Sequence, residues 1–162
     1  MMSIPSLRYG EAAELSFDRL VQGANRYWTV AAGSLDWSCR KTIGHLTDCV
    51  FGYAMQLAVI GESDWLPFED LHLVDDAATI DLLRAFRAIG RMFTGVLDDA
   101  SPDATASDGL IDLGPSDWSA RGAFEILPPC ASRHANTRRR GPRTGTPILR
   151  PLARVDAPGE VR

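Results

Sequence analysis

Asp36-Trp37-Ser38-Cys39-Arg40-Lys41-Thr42-Ile43-Gly44-His45-Leu46 opens an apolar helix that the residue spacing carries on to about Gly61. Gly33-Ser34 marks a tight turn before it, Ser38 is placed to accept a hydrogen bond from the first free backbone N–H groups, and Gly61 stands where a terminating glycine belongs. Ile43, Leu46, Val50, Tyr53 and Leu57 return every three or four residues and form one stripe. Phe51, Met55 and Val59 make the second half apolar on the other side as well, the pattern of a helix central to its domain. At about 100° per residue, His45 falls on the shoulder of the stripe, in line with Ser38, Thr42, Cys49, Gly52 and Gln56. Small and polar side chains in such a row predict room for a cavity beside the imidazole.

Working outward, Met1 to Gly10 reads as an irregular lead-in. Phe17, Leu20, Val21, Ala24, Tyr27, Trp28 and Ala31 then predict a first helix over about Glu11 to Ala32. The short link Gly33 to Trp37 implies that the first two helices are antiparallel neighbours. Past the central helix, Glu62 to Asp76 forms a loop whose Trp65, Pro67, Phe68 and His72 predict packing over the end of the bundle. Asp75 or Asp76 caps a third helix with Leu82, Phe86, Ile89, Phe93 and Val96 inside and Arg84, Arg87 and Arg91 on a solvated face. Asp98 to Gly114 is an acidic loop whose Leu110, Ile111 and Leu113 are expected to dock on the core. Gly114-Pro115-Ser116-Asp117-Trp118 begins a fourth helix, with Ser116 or Asp117 as cap and Trp118, Phe124, Ile126 and Leu127 for burial. Pro128-Pro129 stops it, since each interior proline costs roughly 3 kcal/mol or more.

The chain has 162 residues, of which 45% are hydrophobic, enough for one domain with a real core. No stretch approaches the roughly 18 to 20 apolar residues of a membrane helix and the N-terminus lacks a signal core, so a cytoplasmic protein is expected. Cys39, Cys49 and Cys130 are odd in number and lack C-x-x-C spacing, which argues against a disulfide framework or a zinc ribbon. Cys39 and Cys49 lie about 15 Å apart along one helix, too far to bridge. The net charge of −4 hides a split: up to Leu127 there are nine Lys and Arg against nineteen Asp and Glu, and beyond it eight Arg against two acids. Residues 1–127 are thus an acidic domain and 128–162 a basic tail. The tail holds six of the ten prolines and no aromatic residue, and is expected to be disordered. Arg without Lys and abundant Pro and Ala suit out-of-frame translation of a GC-rich gene; the other frames should then offer a helical continuation with histidine. The absence of aromatic stacking partners argues against a nucleic-acid-binding arm.

Trp37-Ser38-x-Arg40-x-x-x-x-His45-Leu46 resembles the Trp-Ser/Thr-x-Arg-x-x-x-x-His-Leu signature that opens the second helix in the DinB-like metal-binding superfamily, and within it the N-terminal domain of mycothiol-dependent maleylpyruvate isomerase. The likeness ends after Leu127. It implies an all-α, DinB-like four-helix bundle, here with a truncated fourth helix. It also implies a divalent metal, zinc above all, held by His45 and by a Glu-x-x-x-His pair on the fourth helix, whose glutamate corresponds to Glu125. Pro129 stands where that histidine would be; Cys130 and His134 follow the break. The resemblance further implies mycothiol, a low-molecular-weight thiol whose metal-bound thiolate adds to a small electrophilic substrate, as an isomerase or thiol transferase; loss of one ligand implies impaired activity. The alternative is a non-catalytic helical interaction module, or a homodimer, using the groove left by the short fourth helix. Without the likeness, His45 and Glu125 read as ordinary structural residues.

Overall fold

The computed structural model describes residues 2–59, 66 and 71–127. Four helices account for most of this: α1 (Ile4–Val21), α2 (Cys39–Ala58), α3 (Thr79–Asp99) and α4 (Pro115–Ile126). Two two-residue strands, β1 (Ala106–Ser107) and β2 (Asp112–Leu113), pair antiparallel between α3 and α4.

α1 begins seven residues earlier than its apolar period suggests and ends eleven residues sooner. Ser3 caps it, its hydroxyl accepting from the Ser6 N–H, and Pro5 sits in the first turn, where a missing N–H is harmless. Residues beyond Gln22 turn instead: Trp28 folds back to donate its indole N–H to Gly23 O at 2.9 Å, while Tyr27 is 87% exposed. The lead-in expected at Met1 to Gly10 is therefore mostly helix, and Tyr27 and Ala31 lie outside it. α2 starts as its sequence indicates, with Gly33 at φ 64° in the preceding turn and Ser38 as cap. It ends at Ala58; the expected stop at Gly61 lies outside the described residues.

The order of packing around the bundle is α2, α3, α1, α4 and back to α2, so α1 and α2 face each other across a diagonal. This corrects the expectation of neighbours. The link between them, residues 22–38, is longer than the turn at Gly33 alone, and it pairs Ala31 with Ser38 before entering α2. Hydrogen bonds fix the directions. Ser3 meets Leu97 and Asp98, and Glu14 meets Arg87 and Arg91, so α1 and α3 are antiparallel. Ser119 reaches Pro5 O and Ser16 reaches Ile126 O, so α1 and α4 run together. Arg40 at the start of α2 binds carbonyls just before α3, and the Tyr53 ring lies tilted against Phe93, so α2 and α3 run together and α2 opposes α4. Parallel neighbours such as α2 and α3 require a long crossover between them.

The α2 stripe of Ile43, Leu46, Val50, Tyr53 and Leu57 is buried as expected. On α3 the buried set is Leu82, Leu83, Phe86, Gly90, Phe93 and Leu97, while Ile89 and Val96 are half-buried, because a helix wedged between α1 and α2 must cover two faces. Neither Asp75 nor Asp76 caps α3; Ala78 is the cap residue, without a side-chain bond. Arg87 and Arg91 share the Glu14 carboxylate, which Arg87 above all holds below the usual range, and so clasp α3 to α1. Leu110 and Ile111 do not dock. They are 73% and 61% exposed at the tip of the hairpin, where Asp108 accepts both their N–H groups and Gly109 turns at φ 88°. Leu113 does pack against the core. On α4, Gly114 is the cap residue and Asp117, in the first turn, accepts its N–H at 3.2 Å. Trp118 and Ile126 are buried, whereas Phe124 is 74% exposed and Leu127 is also exposed. The expected loop residues Trp65, Pro67 and Phe68 and the tail lie outside the described residues.

Candidate functional site

Most of the motif that begins α2 is scaffold. Ser38 Oγ accepts the Lys41 N–H at 3.1 Å. The Arg40 guanidinium donates to three backbone carbonyls, Ala77 O at 2.8 Å, Val74 O at 3.0 Å and Asp75 O, so it ties the start of α2 to the chain entering α3. A planar fork with several donors suits such a task better than an ammonium. Trp37 sets its ring edge-on to His45, with centroids 5.1 Å apart, and Lys41 Nζ lies over the same indole.

His45 is exposed in the second turn of α2, between Trp37 and Cys49. Cys49 Sγ lies 3.5 Å from His45 Nε2 and 3.8 Å from Nδ1, as the i, i+4 spacing on one helix allows. Among the described residues, the cavity that stands out is not beside the imidazole. Thr42, Gly52 and Gln56 from the same row are buried rather than lining an opening, and Gln56 accepts the Leu66 N–H at 3.1 Å. A cavity of about 410 Å³ lies instead between α1 and α3, lined by Leu7, Gly10, Ala13, Phe86 and Gly90 among others.

Across the interface with α4, the half-buried Glu125 accepts a hydrogen bond from the Tyr53 hydroxyl at 3.3 Å. Arg121 donates to the same hydroxyl at 3.4 Å and pairs with Asp108, whose side chain is 7% exposed. Burial drives the Tyr53 hydroxyl pKa upward; Glu125 and Cys49 add to the rise and Arg121 opposes it. Burial also pushes Asp108 up, but the Ile111 and Leu110 N–H groups and Arg121 outweigh it and hold the carboxyl below its ordinary value. The result is a continuous polar line, Asp108 to Arg121 to Tyr53 to Glu125, on the α2–α4 side.

His45 and Glu125 thus border the same pair of helices without meeting. Tyr53, to which Glu125 is bound, is eight residues past His45, about 12 Å along α2. Among the described residues no three His, Cys, Asp or Glu side chains come together for a metal. A metal site with about three protein ligands, as the resemblance implies, does not fit the donors among the described residues: His45 and Cys49 adjoin, and Glu125 is engaged with Tyr53. His72 is exposed ahead of α3, and Pro129, Cys130 and His134 lie outside the described residues.

Sequence reasoning passed over Cys49 as a partner of His45, although four-residue spacing was the available signal. It also read Tyr53 only as part of an apolar stripe, when a tyrosine buried there calls for a partner for its hydroxyl. Arg121 and Asp108 carried no local signal. No family model, curated protein or solved structure matches the chain. No helix among the described residues is long and apolar enough to cross a membrane.

Proposed function

We propose that this chain is a DinB-like bundle akin to mycothiol-dependent maleylpyruvate isomerase, a cytoplasmic, metal-dependent and thiol-using isomerase or thiol transferase whose site is reduced in this polypeptide. One observation carries the reading. The helix with the motif histidine and the helix with the motif glutamate pack against each other, and Glu125 turns its carboxylate onto α2. The motif residues Trp37, Ser38 and Arg40 support it, since each contributes to fixing where α2 begins and how His45 is presented. The ligand classes are a low-molecular-weight thiol and a small electrophile. The described residues offer no complete ligand set, so no catalytic step is assigned to a metal.

A second reading, a non-catalytic interaction or dimerisation module, draws on the exposure of Phe124 and Leu127 on α4. Metal analysis of the purified full-length chain decides between them. Zinc bound by the wild type and lost in His45→Ala is the expected result. Absence of zinc binding overturns the first reading, and a stable dimer under those conditions favours the second.

A further inference from the structure

We propose that α1 pairs antiparallel with α1 of a second copy of this chain, its outer row Ile4, Arg8, Glu11 and Leu15 meeting the same row reversed. The contact lies on α1, not on the α4 face of the second reading, and it stands whether or not the chain holds a metal.

The other faces of α1 are used within the bundle. Tyr9, Ser16 and Phe17 are buried, Ser6 binds Asp98 of α3, a Cβ on Gly10 would lie 3.4 Å from Thr94, and Pro5 O accepts from Ser119 of α4. Ile4, Arg8, Glu11 and Leu15 are left outside: Ile4 is 65% and Leu15 50% exposed, and Arg8 and Glu11 are exposed too. At about 100° per residue the four fall within about 60° of one another, so they form a single row. Neither Arg8 nor Glu11 has an ion pair among the described residues, whereas Glu14, facing α3, is held by Arg87 and Arg91.

Single exposed aliphatic side chains are ordinary; order and spacing decide here. Along the chain the row runs apolar, basic, acidic, apolar, in steps of four, three and four residues. Reversal leaves the steps unchanged and exchanges the charges. A two-fold axis between Arg8 and Glu11 therefore sets Ile4 against the partner's Leu15 and Arg8 against the partner's Glu11, each contact occurring twice, as an isologous interface requires. Steps of four, three and four are also those of a coiled-coil seam, whose polar members fix register. A parallel pair would set Arg8 on Arg8 and Glu11 on Glu11, so the charges select the antiparallel one. The seam is only about 16 Å long, which makes a small contact and a weak, concentration-dependent dimer.

The test is sedimentation equilibrium of the reduced, full-length protein up to about 1 mM, with and without zinc. The wild type should pass reversibly from monomer to dimer as concentration rises. Arg8→Glu and Glu11→Arg should each weaken the dimer by more than about tenfold, because like charges then face each other across the axis. An equimolar mixture of the two variants should associate again, since opposite charges meet at both contacts, and that recovery also shows that both variants are folded. The double variant Arg8→Glu/Glu11→Arg should dimerise like the wild type, and Phe124→Ser should change nothing. A wild type that stays monomeric, a dimer indifferent to Arg8→Glu and Glu11→Arg, or a mixture no more associated than its components overturns the inference. Association lost in Phe124→Ser but kept in the α1 variants overturns it too, and favours the second reading. Zinc uptake measured on the same samples bears on the first reading alone.

Discussion

Replacing Gly122 by alanine tests the placement of α4, on which the candidate site depends. A Cβ there would lie 2.8 Å from Phe93 Cε1, 2.9 Å from Tyr9 Cε2 and 3.1 Å from Tyr9 Cδ2. Carbon atoms pack best at about 3.5–4.0 Å, so both rings must retreat by more than half an ångström. Neither has anywhere to go: both are fully buried and packed edge-to-face against each other at 4.7 Å. Overpacking of this kind costs about 1–3 kcal/mol, and fixed rings put it near the upper end. Alanine returns about 1 kcal/mol of helix propensity, leaving a net loss of about 2 kcal/mol. Gly95 in α3 is the control, because its Cβ would meet nothing within 4 Å and only the gain of about 1 kcal/mol applies. The two variants should therefore differ by about 3 kcal/mol. In urea melts with a slope of about 2 kcal/mol per M, this separates their midpoints by about 1.5 M. Equal midpoints would show that α4 does not approach Tyr9 and Phe93 this closely, and the contact between Glu125 and Tyr53 would fall with it.

Arg40→Lys should lower stability by about 1–2 kcal/mol in thermal melts, because a single ammonium does not reproduce three carbonyl contacts and hydrogen bonds from charged donors are worth about 1.5–3 kcal/mol when well shielded; an unchanged melt would refute the clamp. Tyr9→Phe should raise stability by about 1 kcal/mol, since the Tyr9 hydroxyl is buried with no hydrogen-bond partner among the described residues. A clear loss in the same assay would mean that the hydroxyl has a partner after all. Acid should destabilise the fold. Asp108 is held below its ordinary pKa once folded, so its contribution is complete above the unfolded value of about 3.9 and is lost as pH falls through the lower folded value. Urea midpoints followed downward from about pH 5 should fall, and fall less in Asp108→Asn; identical acid profiles for the two proteins would exclude this pair as a cause.

Local rules in the chain itself determined the four helices, the Ser38 cap, the turn at Gly33 and the buried stripe from Ile43 to Leu57, because capping and three-to-four-residue spacing act within a few residues of one another. The spacing of His45 and Cys49 was equally present in the sequence. The start of α1 was written there too, in Ser3 and Pro5, but an apolar period that continued falsely to Ala31 obscured it. Tertiary structure alone decided that α1 and α2 lie on a diagonal, that Glu125 turns to Tyr53 instead of His45, and that Arg40 reaches the carbonyls before α3. These contacts depend on which helices adjoin, in which direction and at what axial level, and a helix's own periodicity carries no information about the register of its partner.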